Sequence, residues 1–384
     1  MKYLNILLQP LVLIMFVSCH QEDPAPTGTT VDFEQLFESF WRQMNKNYVY
    51  WDIDSTDWDG IYPQYKGIFS QLNLNDENDV RSSVRYYREM TKYLVDGHCR
   101  ISFSHPAIVD SVIDPLLERK NNLGVLNEPY SYFLRDTVYL DTGYFVGHDA
   151  QNTLNNQPLT IICGEINGDI LYFSCNFFKL SKSYYSNTGE NIKATLDFFF
   201  NWVENNLESS KGIIIDVRNN PGGNLEDLNF LLGKLVDQPL HIGYCQYKNG
   251  DSCYDLTPRI KAYVNPGAST KNVQLPIVVL ADNYSASLSE VITNAIMAFS
   301  QGIFIGETTF GATSPVIPFK VYASGSFEIE NFMSVQLSSC KFISLNGNVY
   351  ESSGLAPDIF IPHSSEAYDQ GRDAQLEYAI ELLK

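Results

Sequence analysis

The sequence predicts an α/β protein preceded by an N-terminal helical subdomain, and three observations carry that expectation. Residues 31–97 put Phe33, Leu36, Phe37, Phe40, Trp41, Met44 and Tyr48 on one helical face, and Val80, Val84, Tyr87, Met90 and Leu94 on another. The segments "GIIIDV" (212–217) and "PIVVLA" (276–281) are short and apolar at both parities, as strands covered on both faces are. Helical patterns alternate with such strands. Ile192, Leu196, Phe199, Val203 and Leu207 form a stripe between "DILYFS" and "GIIIDV", and "NLEDLNFLLGKLV" follows the latter. The tail "DAQLEYAIELL" reads as a last amphipathic helix.

A chain of 384 residues, 44 % hydrophobic and 13 % aromatic, exceeds one ordinary core. The expected divisions are a helical region over 31–100, a small β-rich insertion over 101–164, and an α/β core over 165–384. Within the insertion, "YSYFL" and "DTVYL" read as short strands among long loops. The formal net charge of −19 and the lack of any basic run argue against a nucleic-acid partner, which needs clustered Lys and Arg.

Residues 1–19 read as a targeting segment. Lys2 precedes the apolar run "LNILLQPLVLIMFVS", which Pro10 interrupts and which is too short for a confident membrane span. It ends at "FVSC", similar to a bacterial lipoprotein signal in which Cys19 is lipidated and becomes the mature N-terminus. An ordinary cleaved signal peptide is the alternative. Residues 20–30 then form a polar tether. The expected location is the bacterial envelope, lipid-anchored at the outer membrane.

Six further Cys match no zinc spacing. In "YCQYKNGDSCYDL", Lys248-Asn249-Gly250 suits a hairpin loop. Cys245 and Cys253 would then face each other and oxidise in an exported protein.

Two stretches carry chemistry. In "DVRNNPGGN" a buried strand ends at a Pro-Gly-Gly turn before a helix. Gly222 and Gly223 can place backbone N–H groups around an anion or a developing oxyanion, though the spacing alone favours a plain tight turn. In "ADNYSASLSEVITNAI" the strand "LPIVVL" runs into a helix, with Ser285, Ser287 and Ser289 on alternate positions. Ser287 and Glu290 have capping-box spacing. The same place suits a nucleophile, because a helix N-terminus favours negative charge and a strand-to-helix turn exposes a side chain. Residue pattern alone does not rank the three serines.

The ordered set "DVRNNPGGN", "ADNYSASLSEVITNA", "GETTFGAT" and "ESSGLAPDI" resembles the serine peptidases that include C-terminal processing proteases, the tricorn core and retinoid-binding-protein modules. "FWRQMNKNY", "DWDGIY" and "LVDGH" resemble the tricorn-like branch. The resemblance implies a crotonase-like core of ββα superhelical type and makes Ser287 the nucleophile. The processing proteases take a Lys as base from a Gly-Glu-x-Thr-Phe-Gly-Lys motif, but Ala312 stands at that Lys position here. The tricorn-like branch uses a His and a Glu, which implies His98 as base and Glu351 as its carboxylate. Gly97 occupies the place of that branch's second hydroxyl, so a fourth member is unassigned.

The implied oxyanion hole is the Leu288 N–H with that of Gly222 or Gly223. Asp358 is read as a structural residue bonding backbone in its turn. No recognisable PDZ domain is expected, and no metal or organic cofactor is implied. The implied partners are a peptide or protein substrate and, through the anchor, a membrane; oligomeric state is left open. The rival expectation is a non-catalytic ligand-binding lipoprotein on the same fold. An unperturbed His titrates at about 6.5, so activity is expected to rise near neutrality.

Overall fold

The computed structural model describes residues 32–126, 136–186, 188–267, 271–318, 321–329 and 331–384. Cys19, the tether and the predicted strand "YSYFL" lie outside them.

Asp32 opens α1 (Phe33–Asn47) with a capping box: its carboxylate accepts from Gln35 N–H at 2.9 Å. Asp57 and Asp76 cap α2 (Trp58–Phe69) and α3 (Glu77–Thr91). Helix α2 was not read as a separate element, and Pro63 lies inside it. The aromatic faces meet: Phe37 stacks on Phe69 at 5.1 Å and Phe40 meets Tyr87 edge-on at 5.0 Å. Strands β1 (Arg100–Phe103) and β2 (Val112–Ile113) pair antiparallel. Helix α4 (Pro115–Leu123) follows.

Strands β3 (Phe145–Leu154), β4 (Gln157–Ile166) and β5 (Ile170–Cys175) form an antiparallel meander. After α5 (Leu180–Ser186) and α6 (Ile192–Asn205), β6 (Gly212–Asp216) returns parallel to β5. Helix α7 (Asp227–Leu232), shorter than its sequence pattern, leads to β7 (Leu240–Gln246) and β8 (Ile260–Val264). Strand β9 (Ile277–Ala281), α8 (Leu288–Met297) and β10 (Gly302–Gly306) make the next parallel unit. Strands β11 (Phe327–Ile329), β12 (Met333–Gln336), β13 (Lys341–Ser344) and β14 (Ile359–Phe360) precede α9 (Ser365–Asp369) and α10 (Ala374–Leu382).

These strands make three sheets: β14-β10-β9-β6-β5-β4-β3, β11-β12-β1-β2 and β13-β7-β8. The stretch read as a β-rich insertion is shared out. Strands β3 and β4 extend the seven-stranded sheet, while β1 and β2 pair into the sheet that backs the N-terminal helices. "DTVYL" is a short 3-10 helix at Asp136–Tyr139 rather than a strand. Its Asp136 is drawn inside by Arg218 at 3.0 Å.

Burial explains the two-parity strands. Ile213, Ile215, Ile277 and Val279 pack with Leu196 and Phe199 of α6 and Ile292 of α8. The alternate residues Ile214, Val278 and Leu280 pack with Leu376, Ala379 and Ile380 of α10 on the other face. Truncating one such Ile to Ala costs about 2–5 kcal/mol.

The hairpin expected at 245–253 does not form. Cys245 lies opposite Ile260 and Phe342, and Cys245 and Cys253 are both free thiols. The chain instead continues through a long connection from Tyr247 to Arg259, so the Asn-Gly turn is not the one that pairs the strands.

Candidate active site

Strands β6, β9 and β10 are parallel, so their carboxyl ends share one edge of the sheet. Three loops leave that edge: 217–223, 282–287 and 307–314. Asp282 knits the first two together, accepting from the N–H groups of Asn219 (2.9 Å), Tyr284 (3.0 Å) and Ser285 (3.0 Å).

The structure separates the three serines. The Ser285 hydroxyl donates to Val217 O at 2.7 Å, and that of Ser289 to Asn220 O at 2.7 Å; both residues are fully buried. They pin the loop to the neighbouring one. Ser287 instead lines the cleft. Its φ of 56° and ψ of −120° lie outside the extended region an N-cap usually takes. A non-glycine residue held there is strained, a cost of about 1–3 kcal/mol that the surrounding bonds must offset.

Glu290 supplies much of that support. Its fully buried carboxylate accepts from Ser287 N–H (3.2 Å), Thr309 Oγ1 (2.6 Å), Gly311 N–H (2.7 Å) and Ala312 N–H (2.7 Å). The capping-box pattern pointed to the first of these bonds only. Burial pushes Glu290 up to about 7, against the pull of its donors.

Gly222 and Gly223 differ in their roles. Gly222 has φ 96°, and a Cβ there would lie 2.6 Å from Ser287 Cβ. Its N–H is already committed to Asn220 Oδ1 at 2.8 Å. The Gly223 N–H has no partner among the described residues. Leu288 is the first residue of α8, so its N–H has no intrahelical partner.

His98 lies just before β1 and reaches the cleft from the other sheet. It lines the same cleft as Ser287, of about 360 Å³. Its Nδ1 is buried without a hydrogen bond. Asp96, His98 and Glu351 each offer a ligand-type atom within 4.8 Å of the others. The Glu351 carboxylate accepts from Gly97 N–H (2.7 Å), Thr313 Oγ1 (3.0 Å) and Ser314 N–H (3.1 Å). Asp96 accepts from His98 N–H (2.9 Å), Ser338 N–H (2.9 Å) and Ser338 Oγ (2.7 Å). Among the described residues no hydrogen bond joins the His98 ring to Ser287 or to either carboxylate.

Two carboxylates and an imidazole are a donor set a divalent cation can use. Here, however, the carboxylate oxygens are already engaged by N–H and O–H donors of the loops.

Burial holds the His98 imidazole down to about 4, not the unperturbed value of about 6.5 from which activity was expected to rise near neutrality. Burial pushes Asp96 up to about 6 and raises Glu351 well above the usual carboxylate range, and Asp96 adds to the latter shift. At neutral pH the imidazole is therefore uncharged and able to accept a proton.

Ala312, where the resemblance would put a Lys, is buried and lines a second cleft with Ser287. A Cβ on Gly97 would lie 2.4 Å from Gly311 O and 2.6 Å from Ala312 Cα, so no hydroxyl-bearing side chain fits at 97. Thr313 is the hydroxyl that does reach Glu351. The sequence reading missed Asp96, Thr313 and the wider role of Glu290. "DGH" was the available signal for Asp96. Asp358 accepts from Phe304 N–H of β10 at 2.9 Å, across the sheet edge rather than within its own turn.

The profile of "Peptidase family S41" matches residues 170–361, and that of "Tricorn protease C1 domain" matches residues 30–77. The chain is 30 % identical over 152 residues to the carboxy-terminal processing protease CtpA of Bacillus subtilis, covering 40 % of this chain and 29 % of that one. It is 23 % identical over 417 residues to a tricorn protease homolog of Saccharolobus solfataricus, covering 91 % of this chain and 34 % of that one. The chain thus spans about a third of the length of these curated relatives. A crystal structure of a protein from Parabacteroides merdae superposes with a TM-score of 0.68 at 22 % identity, covering 92 % of this chain and 97 % of the other. That likeness is one of fold.

Proposed function

Because the chain belongs to peptidase family S41, we propose that it is a serine endopeptidase working through an acyl-enzyme on a core of the crotonase-like kind. The observation that carries the reading is the position of Ser287. Alone of the three serines it sits strained at a helix N-terminus in a cleft shared with His98.

In this reading Ser287 Oγ attacks the peptide carbonyl and His98 takes its proton. The developing oxyanion is held by the N–H groups of Leu288 and Gly223, since Asn220 occupies that of Gly222. His98 then protonates the leaving amine. Water, deprotonated by His98, releases the acyl group. Glu351 fixes the ring and stabilises the imidazolium, with Thr313 as the assisting hydroxyl. In a substrate-free site such hydrogen bonds are often long and tighten on binding.

The substrate is a peptide or protein of the bacterial envelope, where the "FVSC" signal would anchor the enzyme through Cys19. The Ser-His-Glu set replaces the Ser-Lys dyad because residue 312 is Ala. Turnover of a denatured protein substrate by single Ala variants of Ser285, Ser287 and Ser289 tests the assignment. Only Ser287→Ala should abolish acyl transfer while leaving the fold intact; full activity in Ser287→Ala would refute it. The rival reading, a ligand-binding lipoprotein, expects no turnover in any of them or in the wild type.

A further inference from the structure

Cys245, expected from its turn signal to face Cys253, has a different neighbour. Strand β13 runs antiparallel to β7 with Phe342 opposite Cys245. Cys340 precedes Phe342 by two residues, which places it on the same face of the sheet and diagonal to Cys245. The two thiols lie within hydrogen-bonding reach of each other, with the Tyr247 hydroxyl beside both. Cys253 packs against the N-terminal helical core instead.

The pair is asymmetric. Cys340 is fully buried, whereas Cys245 is partly exposed. The hydrogen bond from Cys340 holds the Cys245 thiol below its ordinary pKa, and the same bond, with burial, pushes Cys340 well above it. Cys245 is thus the thiol that reaches solvent and the one that ionises first. Burial raises Cys99, Cys163 and Cys175 well above the ordinary value. Cys340 also follows directly on Ser338 and Ser339. Ser338 donates to Asp96 through its N–H (2.9 Å) and its hydroxyl (2.7 Å), and Ser339 N–H donates to Pro315 O at 2.9 Å.

We propose that Cys245 and Cys340 are a disulfide-forming pair, oxidised by exchange with an external disulfide, and that their bond fastens the segment carrying Ser338 to β7. The proposal does not depend on which serine is the nucleophile. The Cys245 thiol loses its proton to water, and its thiolate attacks one sulfur of the external disulfide. A mixed disulfide forms and one external thiolate leaves. Cys340 then gives its proton to that thiolate, its sulfur attacks Cys245 Sγ, and the second external thiolate leaves and takes a proton from water. Two protein thiols are oxidised to one disulfide, and one external disulfide is reduced to two thiols.

Oxidised glutathione, added to the folded full chain, is the probe. After acid quenching, alkylation in denaturant and non-reducing peptide mapping, one bond should join the peptides of Cys245 and Cys340. Cys99, Cys163 and Cys175 should remain alkylatable. In Cys340→Ala the reaction should stop at the mixed disulfide, with glutathione on Cys245, and in Cys245→Ala Cys340 should stay unmodified. The bridged protein should unfold at a higher guanidinium concentration, and dithiothreitol should reverse the shift. A bond from Cys245 to Cys253, or both thiols of the pair still alkylatable after oxidation, would overturn the proposal; wild-type protein alone gives that result even where a variant fails to fold. An unchanged unfolding midpoint in the bridged protein would overturn the fastening.

Discussion

Gly97 donates its N–H to Glu351 Oε1 across 2.7 Å, joining the loop that carries His98 to the turn after β13, 254 residues away in sequence. The bond holds the proposed base, His98, and its proposed carboxylate in one frame although they come from different parts of the chain. It also explains the glycine, since any side chain at 97 would strike Gly311 and Ala312.

From this frame, His98→Ala should lower kcat by several orders of magnitude, about as much as Ser287→Ala. The double variant should be hardly worse than either single one, because the residues act as a unit. Glu351→Gln should do less damage, since it orients and stabilises without moving the proton. Steady-state kinetics on purified, folded variants checks the order; near-wild-type turnover in His98→Ala would leave Ser287 without its base.

The pH profile should lie lower than an ordinary histidine would give. A cationic acid whose pKa is lowered keeps its neutral, basic form to lower pH, and loses it as pH falls through about 4. Asp96, raised to about 6, loses its charge earlier on the same descent. Glu351, raised by burial well above the usual carboxylate range with Asp96 contributing, loses its charge on this descent too, so the acid limb of kcat/KM should be one coupled titration reaching upward from about 4 through about 6, and Asp96→Asn should move it. A limb centred at 6.5 or above that Asp96→Asn leaves in place would contradict this.

Gly222→Ala should abolish activity. The residue has φ 96°, and the added Cβ would meet Ser287 Cβ at 2.6 Å and Leu288 N at 2.7 Å. Circular dichroism should show a folded protein, with the damage confined to turnover and to labelling of Ser287.

Glu290→Gln replaces an acceptor of four hydrogen bonds by a group carrying its own donors. A loss of about 1–3 kcal/mol in denaturant unfolding is expected. The Ser287 loop should also become easier to cleave with an added protease. Wild-type stability in this variant would remove Glu290 as the organiser of the loops.

How much of this was legible in the sequence depended on how local its cause is. "GIIIDV" and "PIVVLA" announced themselves because two covered faces leave both parities apolar. Ser285 and Ser289 could not be told from Ser287, because the carbonyls that hold them lie 68 and 69 residues away. "DTVYL" misled because Asp136 is held inside by Arg218, 82 residues on. The Cys245–Cys253 pairing failed because the register of β7 was set by Ile260 and Phe342, not by the nearest turn signal. His98 and Glu351 were reachable only through resemblance; their shared frame with Asp96 required the fold.

Labelling with a fluorophosphonate followed by peptide mapping tests the central claim most directly. The predicted result is one adduct, on Ser287 in the peptide spanning 281–296, that is lost in Ser287→Ala and strongly slowed in His98→Ala. An adduct on Ser285 or Ser289, or no adduct on folded protein with an accessible cleft, would contradict it.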